Sequence, residues 1–555
     1  MTKRIILILA LLLSFSVFGG KGSFWGTAVC YGAESLYEER LDKGLFNTDP
    51  YSYLLIEKAH EERDRAEELL ESARKYSPDL PAVYFELAME SVSPSLNGMF
   101  EGIDYFRQGL KAYERNFWWS FNLAGVVSLS IIASYLLSLC ILVAIRFPME
   151  YPLLAHDIRE DRARVALLAL PFFLSLFGFL VFIAGVLFLF GLYFRKRDRI
   201  VVYGVFVSLL ISPLILWVSD TLLSPPSPQL RAIVAVNEGR DNRYALENLK
   251  GHDFGQAFSY ALALKREGNY GAAIATYKKL AGEADPLVYN NLGNAYYAVK
   301  DLDSAKGAYE RALGIRERPA PLYNLSQVYR ETLDFAKGDE YFLKAARLDR
   351  EAVSSFAAIS GRNPNRVVVD ERLPMSEIWK YAERKSASLG PSVLLAVLMI
   401  PAFSMLNRKM KTRAYRCRRC GTISCSKCSK ALTWGGMCPQ CYQFFVKVEE
   451  LDPHARISRL VSIHEGQTKR RRILKLLSAF IPGTGQIYAG KIVIGFLFLW
   501  LFLFSLALIV MSRLSFVGIF PYSQGWMIPF AVLGLVLAYV LSIFNVKKGI
   551  RRGWL

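Results

Sequence analysis

The sequence is poor in the signatures of catalysis. Its five histidines are scattered along 555 residues, so no helix with paired metal-binding histidines arises. No serine stands in a Gly-x-Ser-x-Gly elbow. The string Gly485-x4-Gly490-Lys491 imitates a phosphate loop, but Ile492 takes the place of the hydroxyl residue that would hold magnesium, and no strand-like run precedes it. These absences argue against an enzyme. Cysteine is scarce outside one stretch: six of eight fall within Cys417–Cys441, and Cys30 and Cys140 stand alone. That excludes a disulfide framework and fits clustering around a metal. Acids are in deficit too, 49 against 68 Lys and Arg. The imbalance concentrates between Arg408 and Lys475, where 17 basic residues face 4 acids.

What the chain has instead is apolar length. Its residues are 53% hydrophobic, which suits a multi-span membrane protein with soluble insertions. Ser386–Asn407 runs 22 residues without a charge and ends at Arg408, Lys409 and Lys411. At ~1.5 Å per residue it reaches ~33 Å, enough to cross a hydrocarbon core of ~30 Å. Further spans are expected at 117–145, 165–194 and 200–219, and in a C-terminal membrane module, 473–545, at 492–512 and 526–544. The 165–194 run carries Pro171, Gly178, Gly185 and Gly191 and is either one tilted crossing or two half-depth helices. Trp118 and Trp119 favour a membrane–water interface. Residues 1–28 read as a signal peptide or anchor, with Lys3 and Arg4 before the apolar Ile5–Phe18. The excess of Lys and Arg after each span places 195–199, 408–475 and the C-terminus in the cytoplasm. The protein is then a multi-pass component of a bacterial inner membrane, with the domain after Asp220 periplasmic.

From Gln256 to about Arg350 the chain repeats with a period of 32 to 34 residues. Leu292-Gly293 and Tyr296 recur as Leu325-Ser326 and Tyr329. Ala305, Tyr309 and Ala312 recur as Gly338, Phe342 and Ala345. Turn positions align as Gly268-Asn269, Lys300-Asp301 and Leu333-Asp334. Such a pattern encodes two antiparallel helices per unit, with small residues at the close crossing and aromatics filling the gap to the next unit. The run Tyr289–Tyr297 resembles the tetratricopeptide repeat, placing such a domain at 229–385 with its best repeats at 256–350. Residues 34–116 resemble a degenerate region of the same kind. The resemblance implies a concave groove for a peptide or helix of a protein partner, lined by Asn290, Asn294, Tyr297, Tyr323, Gln327 and Arg330. Asparagine there can hydrogen-bond a peptide backbone and arginine can pair with a carboxylate. The two-carboxylate clamp of some family members needs more basic residues than these positions hold. Asn294 and Arg330 are expected to be exposed and dispensable for stability. Residues 362–385 read as an irregular joint.

Beyond the span, residues 413–445 hold Cys417-x2-Cys420, Cys425-x2-Cys428 and Cys438-x2-Cys441. Two residues between cysteines let both thiolates face one ion, and two such turns close a tetrahedral zinc shell. The string resembles the second half of a FYVE-type zinc finger, a treble-clef or ribbon module. By that resemblance Cys417, Cys420, Cys438 and Cys441 hold a structural zinc ion, with Cys425 and Cys428 as additional candidates. The basic surroundings at 408–475 suit anionic lipid headgroups and lack the interleaved aromatics expected of a nucleic-acid surface. Pro482-Gly483-x-Gly485-Gln486-x-Tyr488-x-Gly490 resembles a small family of two-span bacterial membrane modules. The sequence therefore describes a mainly α chain, a repeat solenoid plus transmembrane helices with a small zinc module, acting as a membrane scaffold or adaptor. The alternative is a membrane-anchored signalling or nucleic-acid-linked regulator that works through the basic zinc module.

Overall fold

The computed structural model describes residues 33–93, 95–158, 160–249, 253–361, 363–383, 390–410, 413–417, 419–425, 437–445, 453–514 and 524–552. The 1–28 leader, Cys30, Cys428 and residues 386–389 of the central apolar run lie outside them. Helices make up almost all of the described chain. Among the described residues, β structure is one two-stranded antiparallel ladder that pairs Tyr415 with Ser424 and Arg416 with Ile423.

Four helices are long and apolar enough to cross a bilayer: Phe117–Asp157, Pro391–Lys409, Ile492–Met511 and Gly525–Arg551. The other two apolar runs are broken. Between Asp161–Leu174 and Phe179–Gly191 the chain passes through Gly178 at φ +124°, a conformation that a side chain would resist. It then folds back, so that a Cβ on Gly185 would meet Pro171 and Leu174, and the Phe172 and Phe182 rings lie 5.4 Å apart. The expected continuous 200–219 span is likewise divided into Ile200–Leu210 and Ser212–Leu223, bent by 59°. Pro213 explains the break: it has no N–H to give to the preceding turn and is favoured only at a helix start.

The repeats form three helical hairpins: Phe254–Arg266 with Tyr270–Leu280, Pro286–Ala298 with Leu302–Ile315, and Pro319–Glu331 with Phe335–Leu348. Asn269, Asp301 and Asp334 cap the second helix of each hairpin by accepting from the N–H of Ala272, Ser304 and Lys337. At the crossing of the middle hairpin a Cβ on Gly293 would strike the buried Tyr309 ring at 2.5 Å, so only glycine lets these backbones approach. The residue before each cap has a left-handed backbone: Gly268 at φ +84°, Lys300 and Leu333 at +63°. Leucine is strained there, and Leu333 is exposed. Leu333→Gly is therefore expected to stabilise the protein by about 0.5–1 kcal/mol, relief of strain outweighing added chain entropy. Chemical unfolding of the two proteins side by side would show it, and an unchanged or lower midpoint would refute it.

The N-terminal helices pack into one core with the repeats. Leu55, Leu70 and Phe85 share a cluster with Leu230, Phe258 and Leu262. Trp118 and Trp119 belong to that core and are buried, rather than facing a membrane–water interface. The indole N–H of Trp119 donates to the Tyr53 hydroxyl at 3.2 Å, because a ring buried by protein needs a partner for its polar edge.

The two ends of the Phe117–Asp157 helix meet different parts of the chain. At its start, Phe117 and Phe121 pack on Trp379, from the Met375–Ala382 helix that follows the repeats. At its other end, the Met149 carbonyl accepts from Arg416 at 2.8 Å, and the Asp157 carboxylate accepts from the Ala414 N–H at 3.1 Å. The 32 residues from Phe117 to Met149 span about 48 Å of helix. The Pro-Gly-x-Gly-Gln string packs at this second end. Gly483, at φ +89°, approaches the Gly495 carbonyl so closely that a Cβ would sit 2.2 Å from it. The Gln486 amide donates to Ser542 at 3.0 Å. The string is thus a tight joint between the Ile492–Met511 and Ile528–Arg551 helices.

Candidate functional site: the repeat groove and the cysteine cluster

The concave groove is filled by the chain itself. After the repeats, residues 368–374 run extended, without helix or strand, back across the first helices of the hairpins. The Val369 carbonyl accepts from the side-chain amides of Asn290 (3.0 Å), Asn294 (2.9 Å) and Asn324 (2.9 Å), and the Val369 N–H donates to Asn324 Oδ1 at 2.6 Å. Two residues on, the Glu371 N–H donates to Asn291 Oδ1 and its carbonyl accepts from Asn291 Nδ2, both at 2.8 Å. The Leu373 N–H donates to Asn237 Oδ1 at 2.9 Å. A backbone without secondary structure must find partners for its polar groups when buried, and carboxamides offer a donor and an acceptor together.

Two carboxylates fix the strap in register. The Asp370 side chain is only 7% exposed and takes Lys265 Nζ at 2.9 Å, Arg266 Nε at 3.1 Å and Asn294 Nδ2 at 2.9 Å. Burial alone would raise its carboxyl group, but the charges of Lys265 and Arg266 outweigh burial and hold it at about 2. Burial pushes both cations the other way, below their ordinary values. Glu371 receives a two-pronged contact from Arg318, at 2.7 and 2.8 Å. Arg372 leaves the groove, lies 4.2 Å over the Phe46 ring and pairs with Asp79 at 3.1 Å. Asp79 also holds Arg115, just before the first span, at 3.0 Å.

The six groove residues named from the sequence have different fates. Asn290 and Asn294 face the strap and are buried, not exposed, so neither is dispensable for packing. The Tyr297 ring packs with Val368. Tyr323 is buried between Phe342 and Phe356, in a cluster that Val369 borders. Gln327 reaches its neighbour Ser326 at 3.1 Å. Arg330 pairs with Asp339 within its own hairpin at 3.0 Å and covers Phe342. Within the stretch read as an irregular joint, residues 368–374 form the strap, between the helices Pro364–Val367 and Met375–Ala382. The basic residues missing from the six named positions are Lys265 and Arg266, at the end of the first hairpin's first helix, and Arg318, just before that of the third. One overlooked signal was present: Asn291 and Asn324 stand 33 residues apart, within the repeat period.

At the other end of the Phe117–Asp157 helix, the β ladder brings Cys417 and Cys420 together and the Pro439–Phe445 helix brings Cys441 beside Cys438. The sulfur atoms of Cys417, Cys420, Cys438 and Cys441 all lie within 4.8 Å of one another. Cys420 and Cys438 are 3.6 Å apart, close to the ~3.8 Å edge of a tetrahedron with zinc–sulfur bonds of ~2.3 Å. Backbone N–H groups point at sulfur, from Cys438 to Cys417 at 3.3 Å and from Cys441 to Cys438 at 3.4 Å. Burial would raise the Cys417 thiol, but the N–H groups of Cys420, Cys438 and Arg419 bring it down to about 6, whereas burial pushes the Cys438 and Cys441 thiols up. The four-cysteine cluster can hold a metal ion. Cys425 lies outside it, buried against Leu153 and Ala414. Ile463, from the basic Pro453–Phe480 helix, packs on the cluster, and Arg470 from the same helix covers Gly421.

The family model of the tetratricopeptide repeat matches residues 287–319 and 320–351. These windows hold the second and third hairpins, so the chain carries tetratricopeptide repeats, a fold that mediates protein–protein interaction. No curated protein is similar enough in sequence to match.

Proposed function

We propose that this chain is a multi-span scaffold of a bacterial inner membrane, with its repeats in the periplasm and a zinc-bearing basic module in the cytoplasm. The observation that carries the reading is the separation of contacts along the Phe117–Asp157 helix. The repeat-side helix Met375–Ala382 packs at its start, and Ala414 and Arg416 of the cysteine module bond at its other end, about 48 Å away. That distance exceeds the ~30 Å hydrocarbon core. The folded-back pair Asp161–Gly191 keeps Arg195–Arg199 on the side of the cysteine module, as the positive-inside rule asks. Four thiolates at tetrahedral spacing suit zinc in a structural role.

The groove supports binding of a protein segment, because its asparagines already hold an extended backbone. A partner reaches Asn290, Asn294 and Asn324 by displacing the strap. The basic 408–475 stretch would meet anionic headgroups beside the membrane, each basic residue near the surface contributing about 1 kcal/mol. Reporter fusions test the arrangement. A fusion after Arg350 should be active only as a periplasmic reporter and one after Tyr442 only as a cytoplasmic reporter. Activity of both in one compartment would refute it. Salt-sensitive retention of the full chain on DNA but not on anionic vesicles would favour the nucleic-acid-linked regulator instead.

A further inference from the structure

The Leu96–Ala112 helix is built inside out for a soluble domain. Six large apolar residues, Leu96, Met99, Phe100, Ile103, Phe106 and Leu110, fall on one stripe at helical spacing. Five of the six are uncovered, Leu96 at 73% exposed, Phe100 69%, Ile103 62%, Met99 50% and Leu110 42%, while Phe106 at the edge packs on Phe85. The face turned to the protein is made of Gly98, Gly102, Gly109 and Ala112, all buried. This orientation is locked. A Cβ on Gly109 would lie 2.8 Å from the Phe85 ring, and one on Gly102 would lie 2.7 Å from Val92 and 3.1 Å from the Ala88 carbonyl. The helix cannot rotate its large residues inward without driving side chains into its partner. Contiguous apolar exposure on this scale marks an interaction surface.

The position of the helix says what covers it. It ends at Ala112, and after one turn, Tyr113–Arg115, the first span begins at Phe117. Phe106 lies 5.7 Å from Trp526 and 6.2 Å from Phe530, where the last span starts. Phe530 is itself exposed, on the outer surface of that span. The stripe is therefore continuous with the surface that the spans turn toward acyl chains. The Trp526 indole N–H donates to the buried Tyr113 hydroxyl at 2.8 Å beside it, which ties the start of the last span to the end of this helix. Glu101, Asp104 and Lys111 form a separate exposed sector, whereas Arg107 stands within the apolar one, between Ile103 and Leu110, where its long stem can carry the charge out to the headgroups. A helix with these sectors lies in the interface with its apolar side among the acyl chains.

We propose that the Leu96–Ala112 helix is a membrane-surface element, its Leu96–Leu110 stripe seated in the leaflet on the repeat side. The inference rests on the reading that Phe117–Asp157 and Ile528–Arg551 cross a bilayer. The seat fixes the repeat domain at a set height and tilt over the membrane.

The test uses the full chain in phosphatidylcholine vesicles doped with a phosphatidylcholine that carries a diazirine on its acyl chain. After irradiation, adducts are mapped by mass spectrometry. Adducts are expected on peptides covering Met99–Ile103 at a yield comparable with those covering Phe530–Leu541, and not on Ala66–Tyr76. Label on the spans with none on Met99–Ile103 would overturn the proposal and leave the membrane reading standing. Label on neither would overturn both. Protection of the stripe by a second copy of the chain, seen as an intermolecular crosslink in place of lipid adducts, would also overturn it.

Discussion

Asp370→Ala is expected to destabilise the repeat domain by about 3–5 kcal/mol, because it leaves two buried cations without their counter-charge. Lys265 and Arg266 are both buried, and Asp370 is the carboxylate that each contacts. Neither can turn to water without pulling apart the first hairpin. The effect should be visible as a lowered unfolding midpoint of the full chain in detergent, with faster amide exchange over residues 368–374. A loss below about 1 kcal/mol would mean that the strap is not closed in solution, since an exposed ion pair is worth no more than that. The same carboxylate gives a pH dependence of definite sign. Its folded value of about 2 lies below the ordinary ~3.9 of an unfolded aspartate. Its contribution is therefore fully present above pH ~4 and is lost as pH falls toward 2, on the order of 2–3 kcal/mol in all. The alanine variant should lack that acid-sensitive component.

Cys417→Ser is expected to abolish metal binding, whereas Cys425→Ser should keep nearly all of it. The first removes one of four converging sulfurs, and a serine oxygen is a poor replacement for a thiolate at a soft tetrahedral site. The second removes a thiol that packs against Leu153 and Ala414, away from the cluster. Elemental analysis of purified protein should show about one zinc per chain in the wild type and in Cys425→Ser, and almost none in Cys417→Ser. Binding of a structural zinc is worth about 10–16 kcal/mol in small domains, so the metal-free module should also lose its order. Equal loss from both variants would point to a shared cluster that includes Cys425.

The repeats were legible because their physics is local and periodic. A turn residue, a cap and a small residue at each crossing recur every 32 to 34 positions, and each can be read without knowing what lies across the groove. The four convergent cysteines were legible for a similar reason, since two tight turns declare their purpose by spacing alone. The strap was not. Val368–Leu373 has no period, no cap and no apolar face; its order comes from asparagines on three helices and from cations about a hundred residues upstream. Asn291 and Asn324 recurring in step were the trace it left. The tryptophans at 118 and 119 misled for the opposite reason. Their type fits a membrane interface, and which of two wet–dry boundaries they occupy is set by the helices of residues 49–91 that happen to cover them. Gly178 stood in a run already read as divisible, whereas Pro213 lay in a run read as continuous, and the 59° bend there shows only in the folded chain.

The order of synthesis gives the strap a further consequence. Lys265 leaves the ribosome 105 residues before Asp370. At roughly 5–20 residues per second, the two cations wait on the order of 5–20 s for their carboxylate. Asn324 precedes Val369 by 45 residues, so over the last part of that interval the asparagine ladder is complete, the groove is open, and its positive charge is unmatched. The nascent chain therefore passes through a stage in which its repeats present a binding surface that the finished protein has closed. A partner meeting the chain at that stage would compete with a segment not yet made, whereas one arriving later must displace a segment already tethered in place.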